Sequence, residues 1–429
     1  MKYCWYASLV LALSFASARG RTSAAQLTDT FTRWLDHPAI QYTTAEPTDP
    51  VARLGHELES GRVVLRSNGP SGYLRSLLDA LNIPVESQIA VFVPDSVQAR
   101  RINHDNPRTL FFTDNVIVGW VRGGFIEIAA QDRQTGVAFY SLDQPLIGFD
   151  HARITRRHDC LSCHYSYSTV GVPGVLSRSS GQFSVDHRIG LESRWGGWYV
   201  TGALGSNRHL GNTKIDDLYS TSTPTAHTSN LSAFEGQFDW TGYLTPHSDV
   251  VALMVFDHQM HMMNLLTRIG WEARVAAFEE RTSGAQRILT SGEQTDQRVS
   301  MAAAAVEVVD YMLFIEEAPL AGSIRGSTAF ATRFEDQGPR DRAGRSLRQF
   351  DVTNRLFRYP CSYMIYSDVF SALPDTAKMA IYNRLWVVLS GQDPSPRYAR
   401  LSSQDRQDII HILQDTKRDL PVSFLASRR

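Results

Sequence analysis

The sequence predicts an α+β chain: N-terminal helices and an antiparallel β meander, then a loop-rich segment, then a mainly helical C-terminal half. Three observations carry this. Apolar residues recur at helical spacing as far as Leu81. From about 88 to 143 they form short β-branched and aromatic runs separated by turn residues. From Ser248 onward the helical period returns.

Taken in order, the chain opens with Lys2, an apolar run from Trp5 to Ala12, then Leu13-Ser14-Phe15 and the small residues Ala16-Ser17-Ala18. This charged, apolar, small order is that of a cleaved export signal over residues 1–18, and the run is too short to span a bilayer. The division that follows is 19–143, 144–247 and 248–429. Thr28 to Leu35 is helix-periodic. Asp49-Pro50 starts a second helix through Val51, Leu54 and Leu58, with Pro at its first position. Ser71 is placed to cap a third through Leu74, Leu77, Leu78 and Leu81. The predicted strands are Ile89 to Val93, Leu110 to Phe112, Val116 to Val121, Phe125 to Ala129 and Val137 to Leu142, with Asp114-Asn115 and Gly123-Gly124 as turns. Residues 144–247 are irregular, with short strand-like pieces such as Trp198-Tyr199-Val200. So long an irregular stretch in a folded chain usually serves function. Helices are then expected at Val251 to Arg274, Arg298 to Glu317, Tyr363 to Ala372, Pro374 to Leu389 and Ser403 to Leu413, the last behind a Ser402-x-x-Asp405 capping box.

The bulk composition excludes several classes of function. The 429 residues hold 43 Lys+Arg against 44 Asp+Glu, with no long basic run, so there is no electrostatic footprint for nucleic acid. No later segment is long enough to cross a membrane. Of four cysteines, Cys4 leaves with the export signal, and the odd remainder (Cys160, Cys163, Cys361) argues against a disulfide framework.

Cys160-Leu161-Ser162-Cys163-His164 is C-x-x-C-H, the attachment signature of c-type haem. Two thiols on one turn can each add to a vinyl group on the same haem edge, and the next residue presents an imidazole to the iron. At this chain's own Cys and His frequencies, about 0.001 chance occurrences are expected. The same pair admits two other readings. A thioredoxin-like redox pair expects a βαβ setting, which the sequence does not show. A zinc site needs two further ligands, for which His258 and His261 would serve. The expected cofactor is one covalent haem c, bound by Cys160, Cys163 and His164.

The iron's second axial position decides what such a site does: a strong ligand favours electron transfer, and an open position favours binding or catalysis. His258 and His261, i,i+3 neighbours on one helix, are the candidate distal ligands, with Met254 and Met260 behind them. Phe256 and Leu265 are placed to pack around a porphyrin. His187, His209, Arg178, Arg188 and Arg194 are candidates for binding a haem carboxylate. Arg194-Trp195-Gly196-Gly197-Trp198 either walls the pocket or is a tight hairpin with its tryptophans in the core.

The C-x-x-C-H run resembles cytochromes c in general. Together with Val118-Gly119-Trp120-Val121, Gly171-Val172-Pro173-Gly174 and Arg194-Trp195-Gly196-Gly197-Trp198, it resembles a family of exported single-haem proteins of unassigned reaction. That resemblance implies haem and export, and no substrate. The expected protein is an extracytoplasmic (periplasmic) electron-transfer protein with a redox partner protein. The alternative is a haem-dependent oxidoreductase, peroxidase-like or oxygen-activating, which the large size of the chain would suit.

Overall fold

The computed structural model describes residues 34–144, 152–179, 182–214, 225–283 and 291–425. The expected export signal, and most of the Thr28 to Leu35 helix, lie outside them. The α+β plan holds, with a seven-stranded antiparallel sheet in the N-terminal half and a mainly helical C-terminal part.

Helix α1 (Pro50–Glu59) begins where Asp49 accepts from the amides of Val51 and Ala52. Helix α2 (Leu74–Ala80) follows, but Ser71 is not its cap. Ser71 sits in a preceding 3₁₀ turn and donates to the Asn68 carbonyl instead.

The meander comprises β1 (Ile89–Val91), β2 (Arg108–Phe112), β3 (Val116–Trp120), β4 (Ile126–Asp132) and β5 (Gly136–Leu142). Two strands that the sequence reading did not place in this sheet complete it. β6 (Ile154–Arg156) pairs with β5. Beyond it in the chain come the single-turn helix α3 (Leu161–His164) and the hairpin of β7 (Ser177–Ser179) and β8 (Gln182–Val185). β9 (Trp198–Tyr199) then returns to pair with β1, giving the order β6-β5-β4-β3-β2-β1-β9. The loop-rich segment is therefore woven into the sheet at both edges.

Both faces of the sheet are covered, which is why its strands read as continuous apolar runs rather than alternating ones. Phe111, Val118, Trp120, Ile128 and Tyr140 pack with Val51, Leu54, Leu74, Leu77 and Leu78 of α1 and α2. Leu110, Phe112, Ile117, Val137 and Phe139 face the larger core of the C-terminal helices.

The centre of that core is α4 (Val250–Ser283), a 34-residue helix. Asp249 caps it, accepting from Val251 and Ala252 N–H. Polar residues moor it to the sheet: Gln259 donates to the Thr113 carbonyl, and Gln131 donates to the Thr267 hydroxyl. A small β-pair joins β10 (Gly202–Ala203) to β11 (Arg325–Gly326). Helices α5 (Ser291–Met312), α6 (Phe330–Asp336), α7 (Asp368–Ser371), α8 (Asp375–Leu389), α9 (Ser403–Thr416) and α10 (Val422–Leu425) complete the fold. The expected Tyr363 to Ala372 helix is a 3₁₀ turn followed by α7, because Ser362 and Ser367 each restart the chain with a side-chain cap. The Ser402–Asp405 capping box forms as expected.

Candidate functional site

Strand β6 carries the chain to the cysteine motif. Tyr140 is opposite Arg156 in the ladder, and the Arg157 amide donates to the Phe139 carbonyl, so the motif starts beside β5. The turn of α3 is closed by amides of Cys163 and His164 donating to the Cys160 carbonyl at 3.2 and 3.0 Å. That turn puts residues 160, 163 and 164 along one short stretch of helix surface. Cys160 is half-buried, Cys163 is exposed, and both thiols are free. Burial pushes the Cys160 thiol up to about 11, helped by the Asp159 carboxylate and opposed by Arg157.

After His164 the chain makes a compact loop. Ser166 and Thr169 cap each other across a 3₁₀ turn. Val170 and Gly171 both take positive φ (51° and 76°), which for a β-branched residue is a strained conformation. The loop returns so that Gly174 meets His164 twice. The Gly174 amide donates to the His164 carbonyl at 2.9 Å, and the Gly174 carbonyl lies 3.0 Å from His164 Nδ1.

The second bond fixes the tautomer. A carbonyl only accepts, so Nδ1 carries the proton and Nε2 is left with its lone pair. Burial pulls the His164 pKa down, the Gly174 hydrogen bond raises it, and Arg108 lowers it further against Glu127 and Asp95. The ring rests 4.8 Å from that of Phe139. A histidine with Nδ1–H held by a backbone carbonyl and Nε2 free is the arrangement of a metal-ligating imidazole.

Next to it, on the same face of the sheet, lies a polar group. Arg108 donates to Glu127 at 2.8 Å, and the Ser96 hydroxyl donates to the other Glu127 oxygen at 2.7 Å. Gly119, opposite both Leu110 and Glu127, leaves room for their side chains, since a Cβ there would stand 3.2 Å from Leu110 Cδ2 and 3.6 Å from Glu127 Oε2.

His258 and His261 sit elsewhere in the core. His258 is fully buried. Its Nδ1 faces His187 Nδ1, and its Nε2 is 2.7 Å from the Ser362 hydroxyl, so both ring nitrogens are engaged. The ring stacks on Tyr311 and Phe314. His261 is half-buried against Tyr311, its Nε2 3.4 Å from an Arg188 nitrogen. None of the hydrogen-bond or ring partners of His258 or His261 is a partner of His164. Among the described residues, no group of three or more His, Cys, Asp and Glu is arranged to hold a metal ion, so the zinc reading with His258 and His261 has no geometric basis.

The remaining expected residues are distributed as follows. Met254 and Met260 are core residues, and Phe256 packs on Phe112 and Trp198. Arg188 pairs with Asp186, Arg194 donates to the Ile189 and His187 carbonyls, and Arg178 pairs with Asp95. His209 lies beside His227. The Trp195–Trp198 turn is core. Trp195 takes φ 67° and donates from Nε1 to the buried carboxylate of Asp257, and Trp198 donates to the Arg178 carbonyl.

The sequence reading missed Phe139, Asn264 and the Arg108–Glu127–Ser96 group. None of these carries a local signal for the site; the neighbouring Pro173-Gly174, a glycine after a proline close to the motif, does. Comparison of the chain with protein-family models, curated proteins and solved structures gave no match.

Proposed function

We propose that the chain is a c-type haem protein acting in electron transfer outside the cytoplasm. Cys160 and Cys163 would hold the haem by thioethers, and His164 Nε2 would take the iron. The observation that carries this is the Nδ1–Gly174 hydrogen bond, which readies Nε2 for a metal beside two uncrosslinked thiols. The residues fit the group. The thiol-redox alternative fits less well, because such pairs depend on a lowered thiol pKa and Cys160 is shifted upward. Bound haem supplies a one-electron Fe(III)/Fe(II) couple. The protein's part is to fix the imidazole's orientation and proton, and to shield it with Phe139 and the half-buried loop. A redox partner protein would meet the site at exposed Cys163.

A second reading, a haem-dependent oxidoreductase with an open iron, is favoured by the Arg108–Glu127–Ser96 group. A guanidinium fixed by a carboxylate is suited to orienting a small anionic or peroxidic ligand.

The test is expression in a host that matures c-type cytochromes. One covalent haem is expected by intact mass and by absorption, and its loss in Cys160→Ala/Cys163→Ala. A colourless chain of unmodified mass refutes both readings. Carbon monoxide then separates them: an indifferent low-spin spectrum supports transfer, and a gas-binding iron supports the oxidoreductase.

A further inference from the structure

We infer that Asn264 on α4 is a positioning residue for the His164 imidazole, acting through a single peptide group, so that it sets the donor strength of Nε2 toward iron. The inference rests on the haem reading above.

The carbonyl that receives His164 Nδ1–H and the amide of Val175 belong to the same peptide unit. Asn264 Oδ1 accepts from that amide at 3.1 Å, while the Gly174 carbonyl holds Nδ1 at 3.0 Å. The three groups form a continuous chain: Asn264 amide, the 174–175 peptide, imidazole. Hydrogen bonds in such a chain polarise one another, so an acceptor on the peptide N–H makes its C=O a stronger acceptor. A stronger pull on Nδ1–H gives the ring more imidazolate character and makes Nε2 a better donor.

The orientation of the Asn264 amide is fixed by its other end. Nδ2 donates to the Val175 carbonyl at 2.7 Å, so only one assignment of oxygen and nitrogen satisfies both backbone groups. Asn264 is fully buried. Gly174 is pressed against it so closely that a Cβ there would stand 2.2 Å from Oδ1. The opposite side of the loop is pinned independently, by the Val137 amide donating to the Pro173 carbonyl. The loop is thus held from both the sheet and α4, but the polarising bond comes from α4 alone.

The experiment compares Asn264→Leu and Asn264→Asp in the haem-loaded protein. Leu removes the acceptor, and Asp keeps an oxygen for the Val175 amide. The expected result is a rise in reduction midpoint for Asn264→Leu, equivalent to about a three- to tenfold change in the oxidised-to-reduced ratio at fixed potential. Asn264→Asp should stay at or below the wild-type value. Shifts of like sign and size in the two variants, or no rise for Asn264→Leu, overturn the inference. If Asn264→Leu does not fold, Asn264→Asp decides alone: a midpoint above wild type overturns it.

A second readout needs no haem. In the Cys160→Ala/Cys163→Ala chain with ¹⁵N-histidine, the resonance lost on His164→Gln should report an Nδ1–H tautomer. Asn264→Leu should convert it to a mixture with Nε2–H, and an unchanged Nδ1–H signal counts against the inference. Failure of the haem reading shows instead as an unmodified mass in the wild type.

Discussion

His187 and His258 face each other nitrogen to nitrogen, Nδ1 to Nδ1 at 2.9 Å, in a fully buried part of the core. One ring must donate and the other accept, so the pair is stable only while at least one ring is neutral. Burial pulls His258 down to about 3, with Asp186 opposing and His261 reinforcing. It pulls His187 well below its ordinary value, reinforced by His258, Arg194, Arg188 and His261. The titratable and charged groups around the two rings are Asp186, Arg188, Arg194, His261, Tyr311 and Tyr363.

The consequence for stability has a definite sign. Both rings stay neutral in the fold, whereas in the unfolded chain they take up protons below about 6.5. Their contribution is present above that pH and is lost as pH falls toward the folded values. Between pH 7.5 and 5.5 each ring should cost on the order of 1 kcal/mol of unfolding free energy. Urea unfolding at the two pH values should show His187→Phe losing about that much less than wild type. An equal loss in both proteins would contradict the assignment.

His258→Gln should lower stability by about 1–3 kcal/mol, because Ser362 and His187 lose their partner in the core. The absorption spectrum of the haem-loaded protein should not move. A changed Soret band in this variant would instead place His258 at the iron.

Gly174→Ala should destabilise by about 1–3 kcal/mol, since the added methyl group overlaps Asn264 Oδ1 and crowds Thr169. Asn264 cannot swing aside without giving up both bonds to Val175. Chemical denaturation reads the loss, and an unaltered midpoint would show that the loop relaxes freely.

Asp49 joins the first helix to the sheet. One oxygen caps α1 and the other accepts from the Tyr140 hydroxyl on β5. Asp49→Ala should cost about 1–2 kcal/mol for the cap alone, and about 1–3 kcal/mol more for the orphaned hydroxyl. In a double-mutant cycle with Tyr140→Phe the two losses should fail to add, with a coupling of about 0.5–3 kcal/mol. Strict additivity would mean the bond contributes nothing.

The meander was legible because its strands are β-branched and aromatic between recognisable turns, and β2 to β5 fall within a few residues of expectation. Helix α8 was legible from its apolar period, and α9 from its capping box and period. β6 was not, because three residues carry no period, and β9 was read only as a strand-like piece, since its pairing with β1 comes from a neighbour distant in sequence. The cysteine turn was legible because its spacing is local. The Arg108–Glu127–Ser96 group and Asn264 were not, since each depends on register or on a long-range approach. The distal proposal for His258 drew on helical spacing alone. Spacing cannot report that both nitrogens are already bonded to Ser362 and His187.

The tether between α4 and the loop after His164 also bears on how the molecule is assembled. Asn264 comes far later in the polypeptide than the cysteines it helps to enclose. A chain emerging N-terminus first presents its thiols before the helix that locks Val175 exists. If a porphyrin is joined to Cys160 and Cys163 before α4 docks, the turn is reached without the two bonds of Asn264 to Val175, which close the loop only when α4 is in place.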